Sequence, residues 1–394
     1  YYSVFLSKYN INAELSASFR SAIHRYQYPP DVQRNIILDL RHRDKVTGSE
    51  LTLLSDHSVS GYRRSEAWAS DQICYFHIEF SVPFVKAGIF EEDSLINATT
   101  SSSESISAFF SFDPSGNDPV IVRIGISQTS CEDARKNLES EIPDYHFDDI
   151  RKNAREIWNQ HLGKILAEGD SITLVNFYTA LYHSYIAPNL ASDVSGTYRG
   201  MDKKVHQANH NYYSVFSLWD TYRALHPLMT LIEPEETSNF IRTFLLMYQQ
   251  GGLLPVWELA SNETFCMIGY HAVPVIFDAW MKGIRDYDEK IAFEAMKNSA
   301  MQDHFGLSSL KKNGYVAADD EGESVSKTLE YAYDDWCIAM MAKETGQNED
   351  FLMFTERSQA WKHLFDKESG FMRARLNGRS EEHTYELQSQ FHHV

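Results

Sequence analysis

The spacing of hydrophobic positions changes once along this chain, near residue 130. Up to Ile126 they come as short runs broken by turn residues, among them Asn35-Ile-Ile-Leu-Asp-Leu40, Ile73-Cys-Tyr-Phe-His-Ile-Glu-Phe80 and Val120-Ile-Val-Arg-Ile-Gly-Ile126. Runs this short, rich in β-branched and aromatic residues, predict strands. Val85-Lys-Ala-Gly-Ile-Phe90, which follows Pro83, predicts another, and the opening Tyr1-Tyr-Ser-Val-Phe-Leu6 reads as the middle of one. The Ser- and Thr-rich stretch from Ser94 to Glu104 predicts an exposed hairpin connection. Together these elements predict an antiparallel β-sandwich over residues 1–128.

Helical spacing takes over at Ser130, an N-cap residue followed by Glu132 and Asp133. Pro143 interrupts, and Ile150, Ala154, Ile157, Trp158 and His161 then recur on one helical face between Phe147 and Leu162. Residues 129–168 are therefore expected to form a pair of linker helices. Further helices are expected at Leu174–Ala187, Ser214–Leu231, Glu235–Gln250, Met267–Ile284, Lys290–Met301, Val325–Glu344 and Asn348–Phe365. Pro234 with Glu235 and Glu236 starts one of them, and Gly251-Gly252 ends it. Helical hairpins without a fixed-period repeat point to a toroid rather than a solenoid. The expected fold is thus multidomain β plus α, a sandwich followed from residue 169 by an α/α toroid.

Length agrees, since 394 residues exceed the usual size of one core. A formal charge of -19 argues against nucleic acid, whose phosphates need clustered Lys and Arg. A neutral ligand fits better. The many Tyr, Phe and Trp offer flat faces for sugar rings, although most such residues fill cores. Cys74, Cys131, Cys266 and Cys337 are scattered, with no zinc-type spacing. No apolar run approaches the length of a membrane span.

The connections between helices carry the candidate chemistry. In the loop Asp193–Asp202, Arg199 and Asp202 either orient hydroxyls or each other, or belong to a surface turn with an ion pair. Trp219 beside Asp220 suits a sugar site, the indole facing a ring while the carboxylate accepts from adjacent hydroxyls; Asp220 also suits a helix cap, with Thr221 competing. Glu258, Asn262, Glu263 and His271 concentrate acid, amide and imidazole groups between two helices, where His271, on an otherwise apolar helix, reads more readily as a core histidine than as a catalytic base. Glu323, Glu330 and Asp334 share much of one helical face, which points either into a polar cleft or to solvent.

Long motifs in this half resemble a known family. They are Tyr178-Thr-Ala-Leu-Tyr-His-Ser184, Ala187-Pro-Asn-Leu190, Tyr198-Arg-Gly-Met-Asp202, Phe216-Ser-Leu-Trp-Asp-Thr-Tyr-Arg-Ala-Leu-His-Pro227, Leu254-Pro-Val-Trp-Glu-Leu-Ala260 and Asn262-Glu-Thr-Phe-Cys-Met-Ile-Gly-Tyr-His271. They closely resemble the central region of glycoside hydrolase family 92, exo-acting, calcium-dependent, inverting α-mannosidases found mainly in bacteria. The likeness reaches back through Gly61-Tyr-Arg-Arg-Ser65 and forward to about Gly378.

The resemblance implies a sandwich joined to an (α/α)6 toroid, incomplete here over residues 169–378, with a mannose-containing glycan as substrate and a periplasmic or extracellular location. It implies that Trp219 and Asp220 contact the non-reducing mannose, with Arg199, Asp202, Glu258, Asn262, Glu263 and His271 in or beside that pocket. Calcium is implied too, its ligands mostly outside this chain. The family's Gly-rich sugar-binding segment is expected before Tyr1, and its motifs bearing the general acid and base beyond Gly370-Phe-Met-Arg-Ala-Arg375. Arg379–Ser389 resembles a translated sequencing adapter, so 379–394 is expected to be an artefactual tail, and the chain an inactive fragment cut at both ends. Two other readings stand beside this one: a toroidal glycosidase acting on glucosides, suggested by the run Val325–Asp335, and a non-catalytic glycan-binding protein.

Overall fold

The computed structural model describes residues 1–378; the expected tail, 379–394, lies outside the described residues. The chain forms two compact units, one of Tyr1–Val215 with Leu259–Asn262 and one of Phe216–Glu258 with the chain from Glu263. The first takes in more than the 1–168 expected of sandwich and linker, because it runs on to Val215.

Twelve strands build the two main sheets of the first unit: β1 (Tyr2–Leu6), β2 (Ile11–Ala17), β3 (Ser21–Gln27), β4 (Arg34–Asp39), β5 (Lys45–Leu53), β6 (Ser58–Glu66), β7 (Gln72–Phe80), β8 (Phe84–Glu91), β9 (Ser94–Ile96), β10 (Thr100–Ser103), β11 (Ile106–Phe112) and β12 (Val120–Ser127). An antiparallel eight-stranded sheet runs β1-β2-β3-β12-β7-β6-β5-β10, and a four-stranded one runs β4-β11-β8-β9. Strand β11 shows why they face each other. Ile106, Ala108, Phe110 and Phe112 alternate along it, all buried on one face. They meet Leu51, Val59, Phe80 and Val120 of the larger sheet in a shared core, with the Phe80 and Phe110 rings 5.0 Å apart. Each fully buried Phe contributes roughly 1.5–3 kcal/mol relative to exposure.

The stretch Ser94–Glu104 is mostly exposed, as expected, but it is more than a connection. It supplies β9 to one sheet and β10 to the other, and the buried Ser101 Oγ donates to Glu91 at 2.6 Å. Nor are the next two helices mere linkers. Helix α1 (Cys131–Glu141) starts at Ser130, whose Oγ accepts from Asp133 N at 3.0 Å, and α2 (Phe147–Leu162) follows. Leu138, Ile142, Phe147 and Ile150 pack with Ile23 of β3. Gly125 of β12 permits the close approach, for a Cβ there would lie 2.0 Å from Ala134 O. Helix α3 (Ser171–Ser184), capped by Asp170, buries Leu181 and leaves Ile172 and Val175 exposed.

In the second unit the helices are α4 (Leu218–Thr221), α5 (Leu225–Ile232), α6 (Pro234–Gly251), α7 (Ala272–Met281), α8 (Glu289–Ala300), α9 (Leu307–Asn313), α10 (Ser324–Glu344) and α11 (Asn348–Arg357). Strand-type pairing is confined here to loop segments such as Phe216–Ser217 against Trp257–Glu258. The expected helix Ser214–Leu231 is broken in two because Pro227, lacking an N–H, fits only a first turn; the chain restarts at Leu225. The expected helix Met267–Ile284 likewise starts only at Ala272, with Pro274 in its first turn and Gly269 left-handed at φ +85° before it. Helix α9, flanked by left-handed Gly306 and Gly314, was not expected, and α11 stops at Arg357 ahead of a 3₁₀ turn. The long α10 buries Tyr331, Cys337, Ile338 and Met341, and with them Asp334 and Asp335.

Candidate functional site

One carboxylate organises the polar interior of the helical unit. Glu330 of α10 accepts at Oε1 from the Trp219 indole Nε1 at 3.1 Å and from Arg223, and at Oε2 from the Tyr222 hydroxyl at 2.8 Å. His271, just before α7, stacks on the Tyr222 ring with centroids 4.2 Å apart. Its Nδ1 lies 2.8 Å from Asp334 Oδ1, and its Nε2 lies 3.5 Å from Glu330 Oε2. Glu330 and Asp334 are one helical turn apart, a repulsive spacing on a bare helix. His271 stands between them, and this acidic face turns into a polar cluster and not to solvent. Glu323 stays out: it sits left-handed at the head of α10 with its side chain 70% exposed.

The cluster is electrostatically divided. Burial pushes the Glu330 carboxyl up, but the donors Trp219, Tyr222 and Arg223 outweigh it and hold the group below its ordinary value. Asp334 goes the other way, raised by complete burial against the pull of His271. Its neighbour Asp335 is pushed up to about 7 by burial, although Arg357 Nε at 2.9 Å and the Tyr270 hydroxyl at 2.7 Å pull it down. Burial and the bond to Glu330 raise the Tyr222 phenol, which stays a donor.

This arrangement fixes the Trp219 indole while leaving the side chain half-buried, with Asp220 exposed beside it. Asp220 is not the helix cap that its position allows. Helix α4 begins after Ser217, and Asp220 Oδ2 accepts from Ser217 Oγ at 2.9 Å; Thr221 bonds back to the Ser217 carbonyl. A fixed aromatic face beside an exposed carboxylate can grip a ring bearing adjacent hydroxyls.

Glu258 and Glu263 belong to the loop that follows α6. Glu258 is fully buried and its backbone pairs with Phe216. Glu263 accepts from the backbone N–H groups of Val256, Trp257 and Phe265 at 2.8, 2.9 and 2.8 Å. Burial raises its pKa, opposed by those three donors. It braces the loop.

Arg199, Asp202 and Asn262 lie in the first unit. Arg199 and Asp202 do not orient each other. The Arg199 guanidinium is taken by Asp71, donating to its carbonyl at 2.9 Å and its carboxylate at 2.5 Å, while Arg64 binds the same carboxylate at 2.6 and 2.8 Å. Arg64 first, then Arg199, holds Asp71 down at about 2 against burial. Asn262 donates to the Asp71 carbonyl at 2.9 Å and accepts from Lys203 at 2.7 Å. Asp202 pairs with His206 at 2.8 Å. Reading the sequence missed Asp71, Tyr222 and Arg223 and undervalued Glu330; the available signal was that Tyr222 and Arg223 follow Trp219-Asp220 directly.

Among the described residues no group of three or more His, Cys, Asp or Glu is placed to hold a metal ion. Glu330, Asp334 and Glu263 are engaged by protein donors, so these three are not offered as ligands of the calcium that the resemblance implies.

Residues 1–127 match the Glycosyl hydrolase family 92 N-terminal domain, and residues 133–392 match the Glycosyl hydrolase family 92 catalytic domain. A solved family 92 α-mannosidase from Bacteroides thetaiotaomicron is 35% identical, with a TM-score of 0.92 over 95% of this chain and 53% of its own; it is also known in complex with mannoimidazole. A family 92 inverting mannosidase from the same organism is 31% identical, with a TM-score of 0.88 over 95% of this chain and 52% of its own. An uncharacterized secreted glycosidase of Arthroderma benhamiae is 28% identical over 282 residues, 65% of this chain and 32% of that protein. The chain therefore spans about half the length of these structures and a third of the curated relative.

Proposed function

The chain belongs to glycosyl hydrolase family 92, and from that premise we propose that the whole protein removes terminal, non-reducing α-linked mannose from glycans, with Trp219 and Asp220 gripping that sugar. The observation that carries the proposal is the Trp219 indole held in place by Glu330 with Asp220 exposed beside it. The mannosidase titles of the two Bacteroides structures and the mannoimidazole complex support the choice of sugar. The secreted relative supports export, and among the described residues no helix is long and apolar enough to cross a membrane.

Inversion requires a protonated acid at the glycosidic oxygen and a carboxylate activating water across the ring. Glu330, Asp334 and Glu263 take neither role in this proposal, because protein donors already occupy their oxygens. Their part is positioning. Calcium, as a hard ion, would supply polarisation at adjacent mannose hydroxyls when bound. Its protein oxygens would come from outside the described residues.

The test is equilibrium binding of mannoimidazole to the full-length protein, beside a hydrolysis panel of α-linked mannobioses and α-glucosides with calcium or a chelator. Release of mannose alone, lost in Trp219→Ala and in the chelator, is expected. Release of glucose instead would establish the glucoside reading, and binding without any hydrolysis the glycan-binding one.

A further inference from the structure

Two segments of the chain carry Asn and Thr at the spacing that accepts N-linked sugar, with no proline between: Asn97-Ala98-Thr99 and Asn262-Glu263-Thr264. The fold treats them oppositely. Asn262 is 5% exposed, and its Nδ2 donates to the carbonyls of Asp71, Leu259 and Ala260 at 2.9, 3.1 and 2.7 Å. A sugar on that nitrogen would displace bonds in a buried place. Asn97, Ala98 and Thr99 are all exposed, and among the described residues the Asn97 amide has no hydrogen-bond partner. The backbone beside it is nevertheless held, for Leu53 N donates to the Thr99 carbonyl at 2.8 Å.

The place of Asn97 in the sheets gives a sugar there something to do. Strand β9 ends at Ile96 and β10 starts at Thr100, and among the described residues each is the outermost strand of its sheet. Asn97 therefore joins an edge of the smaller sheet to an edge of the larger one. An uncovered edge offers unpaired backbone groups to another chain, and proteins guard it with shortness, charge or a cover. Both strands are short, but neither Ser94-Leu-Ile96 nor Thr100-Ser-Ser-Ser103 carries a charge, and Leu95 is 57% exposed. A bulky, solubilising group at Asn97 would supply the cover.

We propose that Asn97 is an N-glycosylation site whose glycan shields this double edge; the inference rests on the reading that the protein is exported. In the transfer, Asn97 Nδ2 attacks the anomeric carbon of a sugar carried on a polyprenyl diphosphate. The bond from that carbon to the diphosphate oxygen breaks, the diphosphate leaves with its electron pair, and the amide loses one proton. No atom is oxidised or reduced.

For the test, full-length protein is produced in a secreting yeast and its peptides are mapped by mass spectrometry before and after enzymatic release of N-glycans. Sugar at Asn97 and none at Asn262 is expected, lost in Asn97→Gln and Thr99→Ala and kept in Thr99→Ser. Mannoside hydrolysis should be unchanged in all three, while light scattering at equal concentration should show larger particles for Asn97→Gln than for wild type. Secreted protein bare at Asn97 would overturn the site and leave the export reading standing. Unmodified chain retained inside the cell would overturn both, and equal particle size would overturn the shielding role.

Discussion

Two carboxylates, Asp71 and Glu330, each gather several donors, yet they serve different ends. Asp71 takes two arginines, one of them Arg199 from 128 positions later, and Arg199 is only 6% exposed. Those bonds tie distant segments of the first unit and occupy both Asp71 carboxylate oxygens. Glu330 instead gathers Trp219, Tyr222 and Arg223, all from one short stretch, and beside that stretch Asp220 is exposed. The lesson is that a polar motif becomes a candidate site only where fixing one group leaves another free to meet a ligand. Arg199 and Trp219 looked alike in sequence because both sit in polar, aromatic-rich loops.

The comparison can be broken most forcefully at Arg199. Arg199→Ala removes one partner of a buried ion pair and should cost about 3 kcal/mol of stability, read by denaturant unfolding. Arg64 still neutralises Asp71, so a larger loss is not expected. If Arg199→Ala instead left stability intact and abolished sugar binding, the division between the two clusters would fail. Trp219→Ala should do the reverse, weakening mannoimidazole binding by about 2–3 kcal/mol with little change in unfolding, as is typical of an aromatic anchor.

Glu330→Gln comes next. It retains an oxygen for the Trp219 indole but cannot accept from both Tyr222 and Arg223. KM for mannosides should rise about three- to tenfold, with kcat changing less, because the indole is less firmly oriented. A fall in kcat at unchanged KM would instead place Glu330 in the chemistry.

The smallest effect is in acid. Asp71 and Glu79 are both held down at about 2, Asp71 chiefly by Arg64 and Glu79 chiefly by His77 with Arg123. Because the folded values are depressed, these pairs contribute stability above the ordinary carboxylate range, near pH 4 and higher. That contribution is lost as pH falls toward 2. Acid titration of the fold should show this loss, and Arg199→Ala should move its midpoint upward.

Much of this architecture was legible in the chain. The strand run Val120–Ile126, the Ser130 cap, and the start and stop of α6 at Pro234 and Gly252 rest on local rules that no distant contact reverses. Misreadings occurred where a local signal was overlooked. Pro227 and Pro274 announced that two long helices must begin late, and the pair Gly306 and Gly314 bracketed α9. Other differences had no local signal. Whether α1 and α2 were free linkers or a layer on the sandwich depended on Gly125 admitting Ala134, nine residues away in the chain but adjacent in space.

The sequence by itself determined the division into β and α halves, the loops that carry polar chemistry and the family, because periodicity and long motifs are written in consecutive residues. Only the tertiary structure decided which of those polar residues work together. Glu330 lies 111 positions from Trp219 and 59 from His271, and their grouping depends on α10 turning that face inward, where burial and hydrogen bonding set each group's charge.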